Sequence, residues 1–85
     1  MWVTDLPRRA LRQPRSLMPE QYAAAAIIRA PTQITVAAWV VWEDGVEELV
    51  EGQAVAWTTR AVRVRWGVPP HLFETWVWAG AVSRH

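Results

Sequence analysis

The 85-residue sequence predicts a mainly β (α+β) fold, in which one short helix precedes a small sheet. From Ile34 onward, apolar residues alternate along the chain, and many are β-branched or aromatic, which is typical of strands. Asp44-Gly45 interrupts this stretch with a strong hairpin signal. Before Pro31 the apolar and alanine-rich spacing is instead that of a helix. Because the period changes once, at Pro31, we predict a helix followed by a sheet.

The first 31 residues divide into an arm and a helix. Residues 1–15 contain two prolines and several arginines, so we interpret them as an N-terminal arm. Residues 16–31 are predicted to form a short helix, because Pro19 suits a first helical turn and an alanine-rich run follows it. Pro31 should end this helix, since the residue before a proline avoids helical dihedral angles.

Residues 32–85 are predicted to form a single β domain. Gly52 should mark a bulge or bend in the second strand. In the third strand, Val64 and its alternate neighbours should face the core, while Arg63 and Arg65 face solvent. A short 3₁₀ turn should precede the last strand. The predicted strands cover residues 34–42, 46–57, 61–66, 73–79 and 82–84.

The layout of these strands resembles the SH3-like small β-barrel. The likeness is carried by Ala61-Val-Arg-Val-Arg-Trp66 and by Thr75-Trp-Val-Trp-Ala-Gly-Ala-Val-Ser-Arg84, in which one small turn precedes the final strand. It covers roughly residues 33–84 and implies an SH3-like small five-stranded β-barrel, with the arm and helix outside it. The likeness concerns layout and implies no binding residues, because one fold serves many functions.

Candidate groups for catalysis or metal binding are few. The chain has no Cys and two His, and His71 follows two prolines without a candidate acid or base beside it in the sequence. The acidic stretch from Glu43 to Glu51 lacks the spacing of a calcium-binding loop. No phosphate-binding loop or nucleophile motif occurs. We therefore expect a protein that is not an enzyme, with no catalytic residue, cofactor, metal ligand or small-molecule substrate.

The composition also bears on the location and origin of the protein. No apolar run approaches the roughly 20 residues that a membrane-spanning helix needs, so we expect no membrane association. The absence of Cys fits a reducing cytoplasm. Nine Arg without any Lys, together with abundant Ala and Val, indicate a GC-rich genome. We interpret the chain as a bacterial or phage-encoded accessory protein.

The seven Trp favour a protein–protein interaction module. An 85-residue domain encloses few positions large enough for Trp, and Trp is enriched at interaction hot spots. We therefore predict that the chain binds a protein partner or forms a homo-oligomer. The competing interpretation is that packing of the helix and sheet uses most of the Trp. The candidate contact residues are Trp2, Leu6, Tyr22, Trp39 and Trp57.

Nucleic-acid binding is the alternative function. The net charge of +1 is unevenly distributed, with +3 over residues 1–30, −5 over residues 31–57 and +3 over residues 58–85. Two Arg share one face of the third predicted strand and an aromatic residue follows, as on surfaces that follow a nucleic-acid backbone. The low net charge makes this the second hypothesis. The candidate contacts are Arg8, Arg9, Arg12, Arg15, Arg60, Arg63 and Arg65.

Overall fold

A computed structural model describes residues 13–22 and 26–84 of the chain. The described residues form one short helix and five strands, with a 3₁₀ turn, Ala79–Ala81, before the last strand. The elements are α1 (Pro19–Tyr22), β1 (Ile28–Val41), β2 (Glu47–Trp57), β3 (Ala61–Val68), β4 (His71–Trp78) and β5 (Val82–Arg84).

All five strands belong to one antiparallel sheet with the order β4-β3-β2-β1-β5. The first four strands follow one another as a meander, and β5 then returns to pair with the middle of β1, where Val82 lies opposite Ala38. The predicted mainly β class is therefore confirmed. Within the described residues the sheet is open, since its edge strands β4 and β5 do not pair with each other.

The helix is shorter than the predicted 16–31, because residues 16–18 precede α1, residues 26–27 are not helical and the chain is already in β1 at Ile28. Pairing of Ile28 with Trp57 outweighs the local helical preference of this region. Pro31 does not end an element. It lies where the register between β1 and β2 shifts, and such an irregularity accommodates a residue that cannot donate a hydrogen bond.

The hairpin predicted at Asp44-Gly45 joins β1 to β2. The Trp42 amide donates to the carbonyl of Val46 at 2.8 Å, and the Gly45 amide donates to the carbonyl of Trp42 at 2.8 Å. Gly45 has a φ of 88°, a left-handed conformation that costs glycine little. The Asp44 carboxylate accepts a hydrogen bond from the Val46 amide at 3.1 Å, which holds the loop in this shape.

One side of the sheet forms the core. It includes an aromatic cluster in which the Trp42 ring meets those of Trp66 and Phe73 edge-on, with ring centres 6.1 and 5.1 Å apart. The Trp42 indole also donates to the Glu48 carboxylate at 2.8 Å, which satisfies its only polar group. The buried core residues are Val36, Ala38, Val40, Trp42, Val50, Ala54, Val64, Trp66 and Val77.

The predicted facing of β3 is confirmed. Val64 and Trp66 are buried and Val62 is partly buried, whereas Arg63 and Arg65 are exposed. Gly52, by contrast, is not a bulge, since it lies in register opposite Val36. It instead lets β2 approach β3 closely, because a β-carbon at Gly52 would collide with the carbonyl oxygen of Arg65.

Residues 13–17, which we name the bridging segment, connect the end of β1 to the edge of β4. The Arg15 amide donates to the carbonyl of Val41 at 2.6 Å, and the Leu17 amide donates to the carbonyl of Trp76 at 3.0 Å. The Thr75 hydroxyl donates to the carbonyl of Arg15 at 2.7 Å. Hydrogen bonds therefore tie the bridging segment to both β1 and β4.

Candidate protein-interaction site

The outer side of the sheet, opposite the core, carries an exposed apolar pair. Trp39 of β1 and Leu49 of β2 lie directly opposite each other in the register, and they are 52% and 53% exposed. Residues paired in this way place their β-carbons about 4.5–5.5 Å apart, so the two side chains form one continuous surface. We name Trp39 and Leu49 the hairpin patch. The half-buried Val41 extends it toward the hairpin loop.

Carboxylates flank the hairpin patch along β2. Glu47 and Glu51 lie two residues before and two residues after Leu49, so they project from the same face of the strand. Both are exposed. The sequence from residue 31 to residue 57 contains five acidic residues and no Arg. The hairpin patch is therefore an apolar pair with a Glu before and a Glu after Leu49 along β2.

The predicted basic strand forms an ion-pair cluster on the same outer side. The Arg65 guanidinium contacts the Glu74 carboxylate through two nitrogens, at 2.8 and 2.7 Å. Arg63 pairs with the other oxygen of Glu74. One carboxylate thus offsets one of the two positive charges. Glu74 has no local signal in the sequence that marks it as a partner of these arginines, and its role follows from its position opposite Arg65 in the register.

The other two described arginines of the nucleic-acid hypothesis lie apart from this cluster. Arg15 is in the bridging segment, and its guanidinium donates to the carbonyl of Glu43 at 3.3 Å beside the hairpin loop. Arg60 lies in the turn between β2 and β3, at the opposite end of the β1–β2 hairpin. The structure therefore brings Arg63 and Arg65 together but does not gather the described candidates into one basic surface.

Trp57 lies on the core side of the sheet and not beside Trp39. It lines a cavity of about 210 Å³ together with apolar residues of β1, β2, β3 and β5. The cause is a shift in register between Ala54 and Ala56, after which Trp57 pairs with the inward-facing Val62. Simple alternation along β2 would have placed Trp57 on the outer side, so the sequence alone could not show this reversal.

The remaining candidate residues lie outside the described residues, and their roles remain predictions. The side chain of Tyr22 belongs to this group, although its backbone ends α1. Leu49 was not among the predicted candidates, because its exposure beside Trp39 depends on the register of the hairpin. The other candidates outside the described residues are Trp2, Leu6, Arg8, Arg9 and Arg12.

Comparison with protein-family models, with curated proteins and with solved structures finds no significant match to the chain. Among residues 13–22 and 26–84, no group of three or more His, Cys, Asp or Glu side chains is arranged to hold a metal ion. In the same part of the chain, no helix is long and apolar enough to cross a membrane. The geometry of the outer face is therefore the main guide to function.

Proposed function

We propose that this chain is a non-enzymatic protein-interaction module and that the hairpin patch is its principal contact. The observation that supports this is the exposure of Trp39 and Leu49, each about half accessible, on adjacent hydrogen-bonded strands. A Trp held on a sheet loses little conformational freedom on binding, which favours affinity. Trp is also among the residues most enriched at interaction hot spots.

The charges around the patch define the chemistry of the partner. Glu47 and Glu51 flank Leu49 on the same face, so a partner should present an apolar side chain between Arg or Lys residues. A second copy that met the patch with its own patch would bring four carboxylates together. That arrangement is electrostatically unfavourable, and for this reason a basic segment is the better partner than an identical face.

The same proposal includes an SH3-like arrangement and an accessory role in the cytoplasm. The strand order β4-β3-β2-β1-β5 and the 3₁₀ turn before β5 support such an arrangement. The bridging segment adds to this support, because it spans the open side between β4 and the end of β1. Nucleic-acid binding has weaker support, since Glu74 offsets part of the charge of Arg63 and Arg65.

The test is a binding titration with two synthetic peptides that share one central Trp. The first peptide flanks this Trp with Arg, and the second replaces every Arg by Glu. We expect the Arg peptide to bind the wild-type chain at least about tenfold more tightly, which corresponds to about 1.4 kcal/mol. Trp39→Ala should weaken that binding by about tenfold or more, as expected of a hot spot.

The matched control is Trp78→Ala, because Trp78 is 46% exposed but lies at the end of β4. This variant should bind the Arg peptide as the wild type does. Equal binding of the two peptides, equal losses in the two Trp variants, or no binding of the Arg peptide would contradict the proposal. Tight binding of labelled DNA that is lost in an Arg63→Glu, Arg65→Glu double variant would instead support the nucleic-acid alternative.

A further inference from the structure

We propose that the outer side of the sheet carries a second binding site, which takes the phosphate group of a small phosphomonoester. The site is a surface pocket of about 450 Å³ between β1, β2 and β3, and we name it the bulge pocket. It shares no residue with the hairpin patch, so this site goes beyond the proposed function. Its lining includes Arg29, residues 30–33, Gln53, Val55 and Arg65.

An irregularity in the pairing of β1 with β2 creates the bulge pocket. The register passes from Arg29 opposite Ala56 to Ile34 opposite Ala54, so residues 30–33 of β1 lie opposite a single residue of β2. Extra residues of this kind bend a strand and redirect its side chains. Residues 30–33 therefore form one wall of the pocket, and β2 and β3 supply the rest of its lining.

Two guanidinium groups line the bulge pocket from different strands. Ala56 lies between Arg29 and the outward-facing Arg63 in the register, so Arg29 also projects from the outer side. Within the described residues, no hydrogen bond or ion pair engages the Arg29 side chain. Glu74 engages Nε and one Nη nitrogen of Arg65, which holds this guanidinium in place. The second Nη nitrogen keeps two N–H donors for an anion.

Uncharged donors accompany the two guanidinium groups. Gln53 is half-buried, and its side-chain amide has no hydrogen-bond partner among residues 13–22 and 26–84. Thr32 and Gln33 add a hydroxyl and a second amide to the wall of the pocket, and neither side chain has a partner in that part of the chain. Because partly enclosed polar groups normally have partners, this arrangement favours a ligand with several acceptor oxygens.

The charge around the pocket matches that of a phosphomonoester. Three Arg against Glu74 give a formal side-chain charge of +2, and a phosphomonoester carries about −1.5 to −2 at pH 7. Its three terminal oxygens can accept from guanidinium groups on two strands at once, whereas the fork of one Arg satisfies a carboxylate. The next carboxylate along β2, Glu51, lines a neighbouring pocket. The three Arg are Arg29, Arg63 and Arg65.

Apolar groups complete the lining and favour an ester over inorganic phosphate. Pro31 and Val55 both line the bulge pocket. Contact of these residues with the organic part of a phosphomonoester removes apolar surface from water, which inorganic phosphate cannot do. We therefore expect an aromatic phosphomonoester to bind more tightly than inorganic phosphate.

The experiment titrates phenyl phosphate and, separately, inorganic phosphate into the isotope-labelled 85-residue chain at constant ionic strength. The NMR amide and Arg Nε–H signals report binding. We expect phenyl phosphate to bind with a Kd of about 1 mM or lower, and the largest shifts to occur at Arg29, Gln53 and Arg65. Inorganic phosphate should shift the same signals with weaker affinity. Shifts at Trp39 and Leu49 should be small, so the result is independent of the hairpin patch.

Arg29→Gln should weaken the binding of phenyl phosphate by about tenfold or more, as expected when a hydrogen bond to a charged group is lost. Arg29→Lys keeps the charge but not the planar fork, so it should recover only part of this loss. The matched control is Arg84→Gln, because Arg84 is also exposed but lines the cavity on the core side. This variant should bind phenyl phosphate as the wild type does.

Four results would overturn the proposal. The first is absence of binding at millimolar phenyl phosphate, and the second is equal losses in Arg29→Gln and Arg84→Gln, which would indicate general attraction of anions. The third is inorganic phosphate that binds as tightly as phenyl phosphate, because the site would then not recognise an ester. The fourth is binding of a DNA duplex that Arg29→Gln abolishes, without binding of phenyl phosphate, which would assign these arginines to a nucleic-acid backbone.

Discussion

Trp66→Ala should reduce the free energy of unfolding by about 3–5 kcal/mol, the usual cost of removing a buried aromatic side chain. Trp66 is 8% exposed, and its ring stacks on Phe73 with centres 5.5 Å apart and meets Trp42 edge-on. A domain of this size is marginally stable, so a loss of this magnitude should leave much of the protein unfolded. Urea denaturation followed by circular dichroism measures the change.

The matched control is Trp39→Ala, which makes the same chemical change on the outer face. Because Trp39 is 52% exposed, we expect its removal to cost less than about 1 kcal/mol. The pair of variants therefore separates a Trp that holds the fold together from a Trp that is available for binding. Equal losses in the two variants would mean that Trp39 belongs to the core and that the hairpin patch is not a binding surface.

Gly52→Ala should also destabilise the protein, by about 1–3 kcal/mol. A β-carbon at Gly52 would collide with the carbonyl oxygen of Arg65 and would lie 2.8 Å from the β-carbon of Trp66. This result reverses the usual preference, since Ala in a strand is normally more favourable than Gly by about 0.5–1 kcal/mol. The midpoint of urea denaturation reports the change.

Gly80→Ala provides the control for Gly52→Ala. No atom lies within 4 Å of a β-carbon built at Gly80, and its φ is not in the positive region. We expect this variant to be as stable as the wild type or slightly more stable, because Ala restricts the unfolded chain. A Gly52→Ala variant as stable as the Gly80→Ala variant would contradict the close approach of β2 to β3.

The predictions that the structure confirms are those that depend on a few residues close together in the sequence. The hairpin follows from Asp44-Gly45, whose conformation depends on only a few neighbouring residues. The facing of β3 follows from strict alternation between Val and Arg around Val64. The side to which Trp39 projects does not belong to this group, because both alternating sets of residues in β1 are largely apolar. It is known from the structure, in which Ala38 and Val40 are buried and the residue between them projects from the other face.

The features that the sequence did not predict depend on contacts between distant residues. Trp57 faces the core side because of a register shift in the pairing of β2 with β3. Glu74 offsets the basic strand because β4 returns beside β3 in one particular register. Ile28 joins a strand because Trp57 pairs with it, although the local composition favours helix. No local pattern carries the information for these pairings.

The most direct test of the hairpin patch maps where the Arg-flanked Trp peptide binds. The peptide is titrated into the isotope-labelled 85-residue chain, and the NMR amide and indole signals are followed. The proposal predicts that the largest shifts occur at Trp39 and Leu49 and that smaller shifts occur at Glu47. Largest shifts at Trp57 and Val62, which line the cavity on the core side, or at Arg63 in the ion-pair cluster would contradict it.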